Sequence, residues 1–362
     1  MSKLLTPMTF ANGQQAPNRL WLAPMTNGQS HDDGRLSDDE LRWLLQRARG
    51  GFSVIESCAT HVSQEGQGWE GELGIFDDAH IPGWTRLADA IHDHDALLIA
   101  QIFHGGCRAM VQPDGPYRWS ASEIQTDDGP VRAATDEDIE GVIDAFADAA
   151  RRAHQAGADG VELHGAHGYL LCQFLSTDTN RRTDQWGGSI DHRARLIRRT
   201  LQACRAATDD DFIIGARLSP ENFGDLQGLD LDESLQVAQW LADDGADFIH
   251  ISLWDAAQNT SKYPDQHPAT LFRDALPDDV PLITAGQVWT HDDALAQLDR
   301  GADAVALGRG AIANPAWPKR VAKDGEDPTR PPLSEEALLE RGLNQDFVDY
   351  MRNWPGFVED TD

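Results

Sequence analysis

Eight short apolar runs, each followed by a stretch of helical periodicity, constrain this chain more than any other feature. The runs are Arg19 to Met25, Phe52 to Ser57, Ala96 to Phe103, Asp159 to Gly165, Phe212 to Ser219, Asp247 to Ser252, Pro281 to Gly286 and Ala302 to Gly308. They are rich in β-formers and nearly continuous in apolar residues, the pattern of strands buried on both faces. The segment "LSDDELRWLLQRA" opens with Ser37 and carries Glu40 three residues on, a spacing that predicts a capping box. The segment "TDEDIEGVIDAFADAARRAHQAG" has Thr135 or Asp136 as its cap and Gly157 as its stop. "LDESLQVAQWLADDG" and "THDDALAQLDRG" repeat the acidic start and glycine end, and Gly-Ala-Asp recurs before three strands in "QAGADGV", "DDGADFI" and "DRGADAV". Eight βα units of this kind predict an α/β fold, a (β/α)8 TIM barrel. A doubly wound open sheet is the alternative, but no GxGxxG follows an early strand.

The expected organisation is one domain over residues 1–362, with the barrel core over about 19–323 and a polar tail over 324–362. The segment from His104 to Ala134, after the third strand, holds Pro113, Pro116, Pro130 and several glycines; it reads as an excursion over the barrel mouth. In the tail, "EDPTRPPLSEE" reads as a turn-rich link to a last short helix.

Composition narrows the partners. There are 60 Asp and Glu against 30 Lys and Arg, a net charge of −30, and only Lys3, Lys262, Lys319 and Lys323 are lysines. Such a charge argues against nucleic acid or an anionic membrane surface as partner. An Asp-rich, Lys-poor balance reads either as a solvated acidic surface or as adaptation to high intracellular salt, as in halophile proteins. Cys58, Cys107, Cys172 and Cys204 are widely spaced, which disfavours a zinc ribbon, an iron–sulfur site or a disulfide scaffold. No stretch reaches the roughly 18 apolar residues of a membrane helix, and "MSKLLTPMTFANGQQ" lacks the pattern of a secretory signal. The expected location is the cytoplasm; the oligomeric state, a homo-oligomer included, is left open.

Active sites of such barrels lie at the C-terminal strand ends. There the sequence offers "PMT", Ser57, Ala59, Gln101, His104, His164, Arg217, Ser252, "TAGQ" and "LGRG". Gly308-Arg309 leads into a helix, and with Gly286 it reads as a phosphate site or as a tight turn with a surface arginine. Arg217 inside an apolar strand needs a partner, either a structural ion pair or an electron-rich ring above it. His164, His167 and Tyr169 fall within six residues. They read as hydrogen-bond donors for a substrate or as satisfied structural side chains. As metal ligands the two histidines lack a third donor, and no metal is expected.

The stretch "HGAHGYLLCQFLS", followed by "NRRTDQWGGSIDHRARL", resembles the signature of the old yellow enzyme family of FMN-dependent ene-reductases. The likeness continues in "APMT", "EGQG", "QIFHGGCRA", "ARLS" and "LGRGAIANP", over roughly residues 4 to 320. The chain departs from the pattern at Thr177, Trp186 and Ile190-Asp191-His192. The resemblance implies FMN as cofactor, NADH or NADPH as hydride donor, and activated alkenes as substrates. It implies that Pro24, Met25 and Thr26 line the flavin, that Ala59 is the small residue by the ring, and that Gln101 pairs with the pyrimidine edge. It implies Arg217 near N1 and O2, and Gly286, Gly308 and Arg309 at the phosphate. His164 and His167 would bind the substrate carbonyl, with Tyr169 as proton donor. The rivals are a dienoyl-CoA reductase or amine dehydrogenase relative, a flavin-free phosphate-binding lyase or isomerase, and a flavin storage protein. The first would carry an iron–sulfur cysteine cluster and a further nucleotide domain, neither of which is read in the sequence through Asp362. A Schiff-base lyase would need a lysine at a strand end. A storage protein would not need His164, His167 and Tyr169 together.

Overall fold

The computed structural model describes residues 2–111 and 118–360. Pro113 and Pro116 of the expected excursion fall outside them.

Eight parallel strands close on themselves: β1 (Leu20–Leu22), β2 (Val54–Glu56), β3 (Leu97–Phe103), β4 (Gly160–Gly165), β5 (Ile213–Leu218), β6 (Phe248–Ser252), β7 (Leu282–Ala285) and β8 (Ala304–Leu307). Each pairs with the next, and β8 pairs back onto β1, so no edge of the barrel is left open. All eight lie inside the predicted runs. The helices between them include α1 (Asp38–Gly50), α2 (Ile81–His92), α3 (Asp136–Gln155), α4 (Arg195–Ala206), α5 (Leu231–Asp243), α6 (Pro268–Ala275) and α7 (His291–Asp299). In α3 the residues Ile139, Val142, Ile143, Phe146, Ala149, Ala150 and Ala153 are buried, the i, i+3, i+4 stripe of a helix lying on a sheet. The strand end at Gly308 leads into a helix as read, the short α8 (Arg309–Ala313).

The glycines of the three Gly-Ala-Asp repeats behave as read. Gly157, Gly245 and Gly301 have φ of 89°, 96° and 102°, the left-handed conformation that ends a helix at little cost for glycine. Ser37 caps α1 by accepting from Glu40 N at 3.0 Å. The predicted capping box there is half wrong. The Glu40 side chain turns inward, accepts from Asn27 Nδ2 at 3.1 Å and from the Ser30 hydroxyl, and is fully buried. Reciprocal boxes form instead at Thr135 with Asp138 and at Thr290 with Asp293.

Inward-facing side chains form layers. The lower layer is apolar, with Trp21, Val54, Ile99, Ile213, Phe248, Ile283 and Ala304. An N-terminal hairpin that pairs Met8–Thr9 with Gln15–Ala16 adds Met8, Phe10 and Ala16 to this cluster. Phe10, Trp21 and Phe248 pack with centroids 5.2–6.0 Å apart. Further along the strands and on the same face the character changes: Glu56, Gln101, Glu162 and His250 stand two residues beyond Val54, Ile99, Gly160 and Phe248, and on β5 Arg217 stands four beyond Ile213. A polar layer thus rests on an apolar one, beneath the end where the site is expected.

Part of the excursion after β3 folds as a small sheet of Trp119–Ser120, Ile124–Thr126 and Gly129–Ala133. Arg182 ties it to the segment after β4 by donating to Ala121 O at 3.1 Å and Ala134 O at 2.7 Å. The tail forms two short helices rather than one, α9 (Glu335–Glu340) and α10 (Gln345–Met351). Phe347 of α10 packs edge-on against Trp43 of α1, with centroids 5.0 Å apart.

Candidate active site

Strand β4 is buried throughout and ends in a sharp turn. His167 has φ 59° and the following Gly168 φ 75°. A left-handed histidine is uncommon and persists only where its surroundings hold it. Here His167 N donates to Ser219 Oγ at 3.1 Å, and Arg108 Nη1 donates to His167 O. The turn sets the His167 ring perpendicular to that of His164, with centroids 5.0 Å apart. His167 Nε2 lies 2.6 Å from Ser252 Oγ, which also accepts from Arg217 Nη2 at 3.0 Å. With its oxygen accepting from Arg217, the Ser252 hydroxyl has its own hydrogen for Nε2, an arrangement that favours neutral His167 protonated on Nδ1.

Both imidazoles are held well below the ordinary histidine range. Burial is the main cause; for His164 the neighbouring His167 and Arg217 add to it, and for His167 Arg217 and Arg108 do. Tyr169 is wedged edge-on against Phe103 at 5.0 Å and His164 at 5.1 Å between centroids. Burial pushes its phenol up to about 12, against the pull of Arg108.

Beneath these groups lies the polar layer. Register places Gln101 beside Glu162, and His164 beside Arg217 beside His250. Gln101 Nε2 donates to Glu162 Oε1 at 2.7 Å, and His250 Nδ1 donates to Glu162 Oε2 at 2.7 Å. Glu56 Oε1 is 3.6 Å from the same His250 nitrogen. Burial disfavours charge on His250, but the Glu162 and Glu56 carboxylates outweigh it and raise its pKa. For Glu162 burial is likewise overcome, by His250 and Arg217, and its pKa is lowered. Ligand-type atoms of Glu56, Glu162 and His250 lie within 4.8 Å of one another, and the cations serving the two carboxylates are His250 and Arg217. Arg217 is buried, forms no ion pair among the described residues, and its Nε has no hydrogen-bond partner.

The remaining predicted residues converge from the other side. Pro24 is buried at the end of β1, and Met25 packs partly against the core. Thr26 and Tyr350 line the same cavity. Ala59 is buried just beyond Ser57, whose Oγ accepts from Gln101 N at 3.1 Å. A Cβ placed on Gly308 would lie 3.4 Å from Met25 Sδ, and one on Gly286 would lie 2.5 Å from Leu253 O. Arg309 is half-buried over the Trp354 ring, 4.9 Å from its centroid, and forms no ion pair among the described residues. A cavity of about 500 Å3 opens over Thr26 and Tyr169, with Trp69, Arg108, Asp346 and Tyr350 among its walls. His104, at the end of β3, turns away and packs on Trp119.

Several of these residues went unread in the sequence. Arg108, Trp69, Tyr350 and Trp354 lie in loops or in the tail, where no periodicity marks them. Glu56, Glu162 and His250 did carry a signal. Each is an ionisable residue inside an apolar strand, the criterion that singled out Arg217.

Two buried imidazoles and a buried phenol gathered at one strand end, with a buried cation on the neighbouring strand, suit a barrel enzyme that handles developing negative charge. Comparison with known proteins narrows the class. Residues 3–327 match the NADH:flavin oxidoreductase / NADH oxidase family. The chain is 36% identical over 332 residues to the probable NADH-dependent flavin oxidoreductase YqiG of Bacillus subtilis (strain 168), covering 90% of this chain and 88% of that protein. It is 36% identical over 340 residues to the NADH:fumarate oxidoreductase of Klebsiella pneumoniae (strain 342), covering 90% of this chain but only 36% of that protein. The structure of the old yellow enzyme homologue from Zymomonas mobilis aligns with a TM-score of 0.81 at 31% identity, over 96% of this chain and 99% of that one. The chain belongs to the NADH:flavin oxidoreductase family, that of old yellow enzyme. It is an NAD(P)H-dependent flavin oxidoreductase whose cofactor is FMN. No described helix is long and apolar enough to cross a membrane.

Proposed function

We propose that the protein is an ene-reductase, reducing the C=C bond of α,β-unsaturated carbonyl compounds in a ping-pong cycle with NADH or NADPH. The residues fit FMN on one observation above all. Arg217 is a buried cation with an unpartnered Nε donor and, among the described residues, no ion pair, which calls for an anionic or electron-rich acceptor. Gln101 and Arg217 would hold the pyrimidine edge. Pro24, Met25, Thr26 and Ala59 would line the ring system, with His164 touching both cofactor and substrate. Gly286, Gly308 and Arg309 would hold the phosphate. When bound, FMN supplies the redox chemistry, accepting reducing equivalents from the nicotinamide and delivering them to the alkene.

The protein's part is to orient and to manage charge and protons. His164 and His167 donate to the substrate carbonyl oxygen and stabilise the negative charge that develops there, as an oxyanion hole does. Because both are neutral, each donates from one ring nitrogen and accepts at the other. The Ser252 contact orients His167 for this. Tyr169 supplies a proton to the α carbon, and its raised pKa keeps that proton in place until it is needed. The observation that carries the reading is the meeting of His164, His167 and Tyr169, with ring centroids about 5 Å apart, at the C-terminal end of β4. Its expected partners are small activated alkenes, with neither nucleic acid nor membrane, and its expected location is the cytoplasm.

The experiment is direct. The purified protein should be yellow, with one FMN per chain, and should consume NADH or NADPH anaerobically when an enone such as 2-cyclohexenone is added. A colourless protein that takes up no FMN, or a yellow one that reduces no activated alkene, overturns the proposal.

A further inference from the structure

The ionisable layer inside the barrel is larger than flavin binding requires. Gln101 and Arg217 suffice for hydrogen bonds to a pyrimidine edge, yet Glu56, Glu162 and His250 lie beside them at 0–1% exposure. Buried charges are costly unless paired, and this group is unevenly paired. Glu162 accepts from both Gln101 and His250, whereas neither carboxylate oxygen of Glu56 has a hydrogen-bond partner and His250 Nε2 has none.

We infer that Glu56 is a positioning residue for the flavin's redox chemistry: its protonation state, exchanged against His250 and Glu162, sets the net charge that Arg217 and Gln101 present to the cofactor. The inference rests on the proposed flavin position. The charged groups facing Glu56 are Glu162 from β4, Arg217 from β5 and His250 from β6. With Glu56 neutral, two cations face one carboxylate and the layer carries one positive charge. With Glu56 ionised, the layer is neutral. Two-electron reduction of FMN with uptake of one proton leaves one negative charge on the ring system. A positively charged layer therefore favours the reduced cofactor, and a neutral one favours it less.

The same coupling works in reverse. Burial first, then the adjacent Glu162, raise the Glu56 carboxyl to about 7, against the pull of His250 and Arg217. Negative charge arriving above raises it further. Reduction just above neutral pH then draws a second proton from solvent onto Glu56, so two electrons and two protons are taken up instead of two electrons and one. Below that window Glu56 is already protonated, and well above it Glu56 stays ionised in both redox states.

The test is the two-electron midpoint potential of the FMN-loaded protein from pH 6 to 9, by dye equilibration without nicotinamide. One proton per two electrons changes the equilibrium tenfold per pH unit, about 30 mV, and a second proton doubles that slope. Wild type should steepen from about 30 towards about 60 mV per pH unit just above neutrality and then relax. Glu56→Gln, permanently neutral, should keep the shallow slope throughout and lie above wild type at pH 9 by roughly tenfold in equilibrium, about 30 mV. A protonated-carboxyl band in the redox-difference infrared spectrum should be lost in the same variant. If Glu56→Gln fails to fold, His250→Gln reads the same layer, and its potential should fall at pH 6, where a positive charge has been removed. An identical pH profile in Glu56→Gln and wild type, or an unmoved potential in His250→Gln, overturns the inference. Failure of the underlying reading looks different: Arg217→Ala and Gln101→Ala would then bind FMN as tightly as wild type.

Discussion

The guanidinium of Arg108 lies over the ring of Tyr169, its carbon 4.8 Å from the ring centroid. The cation eases ionisation of the phenol and burial opposes it; burial wins, leaving a pKa of about 12. A group whose pKa is raised keeps its proton at every pH below that value. The proton donor is therefore expected to be fully loaded from about pH 6 to 10, even though an unperturbed tyrosine would begin to ionise near the top of that range. Stopped-flow reoxidation of the reduced protein by an enone should show no descending limb across those pH values. A limb near pH 9 that disappears in Tyr169→Phe would contradict this.

The two imidazoles shift the other way. With pKa values well below the ordinary range, His164 and His167 stay neutral as pH falls through about 6, where a solvent-exposed histidine would charge. Affinity for a phenol, which mimics the enolate oxygen, should show no histidine titration between about pH 5.5 and 7.5. His164→Ala and His167→Ala should each weaken phenol binding and slow the alkene half-reaction by roughly 10²–10³-fold. Flavin difference spectra on phenol titration check the first, and single-turnover kinetics the second.

Arg309 stacks on Trp354 and has no carboxylate partner among the described residues, although the chain holds 60 acidic residues. A cation left unpaired in so acidic a chain suits an anionic ligand. Arg309→Ala should weaken FMN binding by about 1.5–3 kcal/mol, the value of a hydrogen bond to a charged group. Fluorescence quenching of FMN by the apoprotein measures it; an unchanged dissociation constant would remove Arg309 from the phosphate site.

How much of this was legible depended on the kind of signal. The strands were, because burial on both faces makes them continuous apolar runs, and the Gly-Ala-Asp repeats marked where helices gave way to them. Local propensity misjudged Glu40, because the Asn27 and Ser30 side chains that receive it come from the preceding loop, and pairing across a fold leaves no mark on spacing. His164, His167 and Tyr169 were readable as a group by their closeness in sequence. The left-handed turn at His167 and the bridge through Ser252 to Arg217 were not, since they join strands β4, β5 and β6. Tyr350 and Trp354 were invisible for the same reason: a polar tail gives no hint that it returns to the barrel mouth.

The charge of −30 predicts a response to salt. Many ion pairs are at the surface, such as Arg199 with Glu140 and Arg320 with Glu326, and salt weakens them. Exposed pairs of this kind contribute little, so relief of acidic self-repulsion should dominate. The melting temperature should rise between dilute buffer and molar KCl. A flat or falling value would point to an ordinary acidic surface.

Tyr169→Phe tests the central claim most directly, with the two half-reactions followed separately by stopped flow. The substitution keeps the ring against Phe103 and His164 and removes only the transferable proton. Reduction of the flavin by NADH or NADPH and binding of phenols should be nearly unchanged, while reoxidation by an enone should slow by roughly 10²–10⁴-fold. Equal slowing of both halves, or of neither, would contradict the assignment of Tyr169 as proton donor and the ene-reductase mechanism built on it.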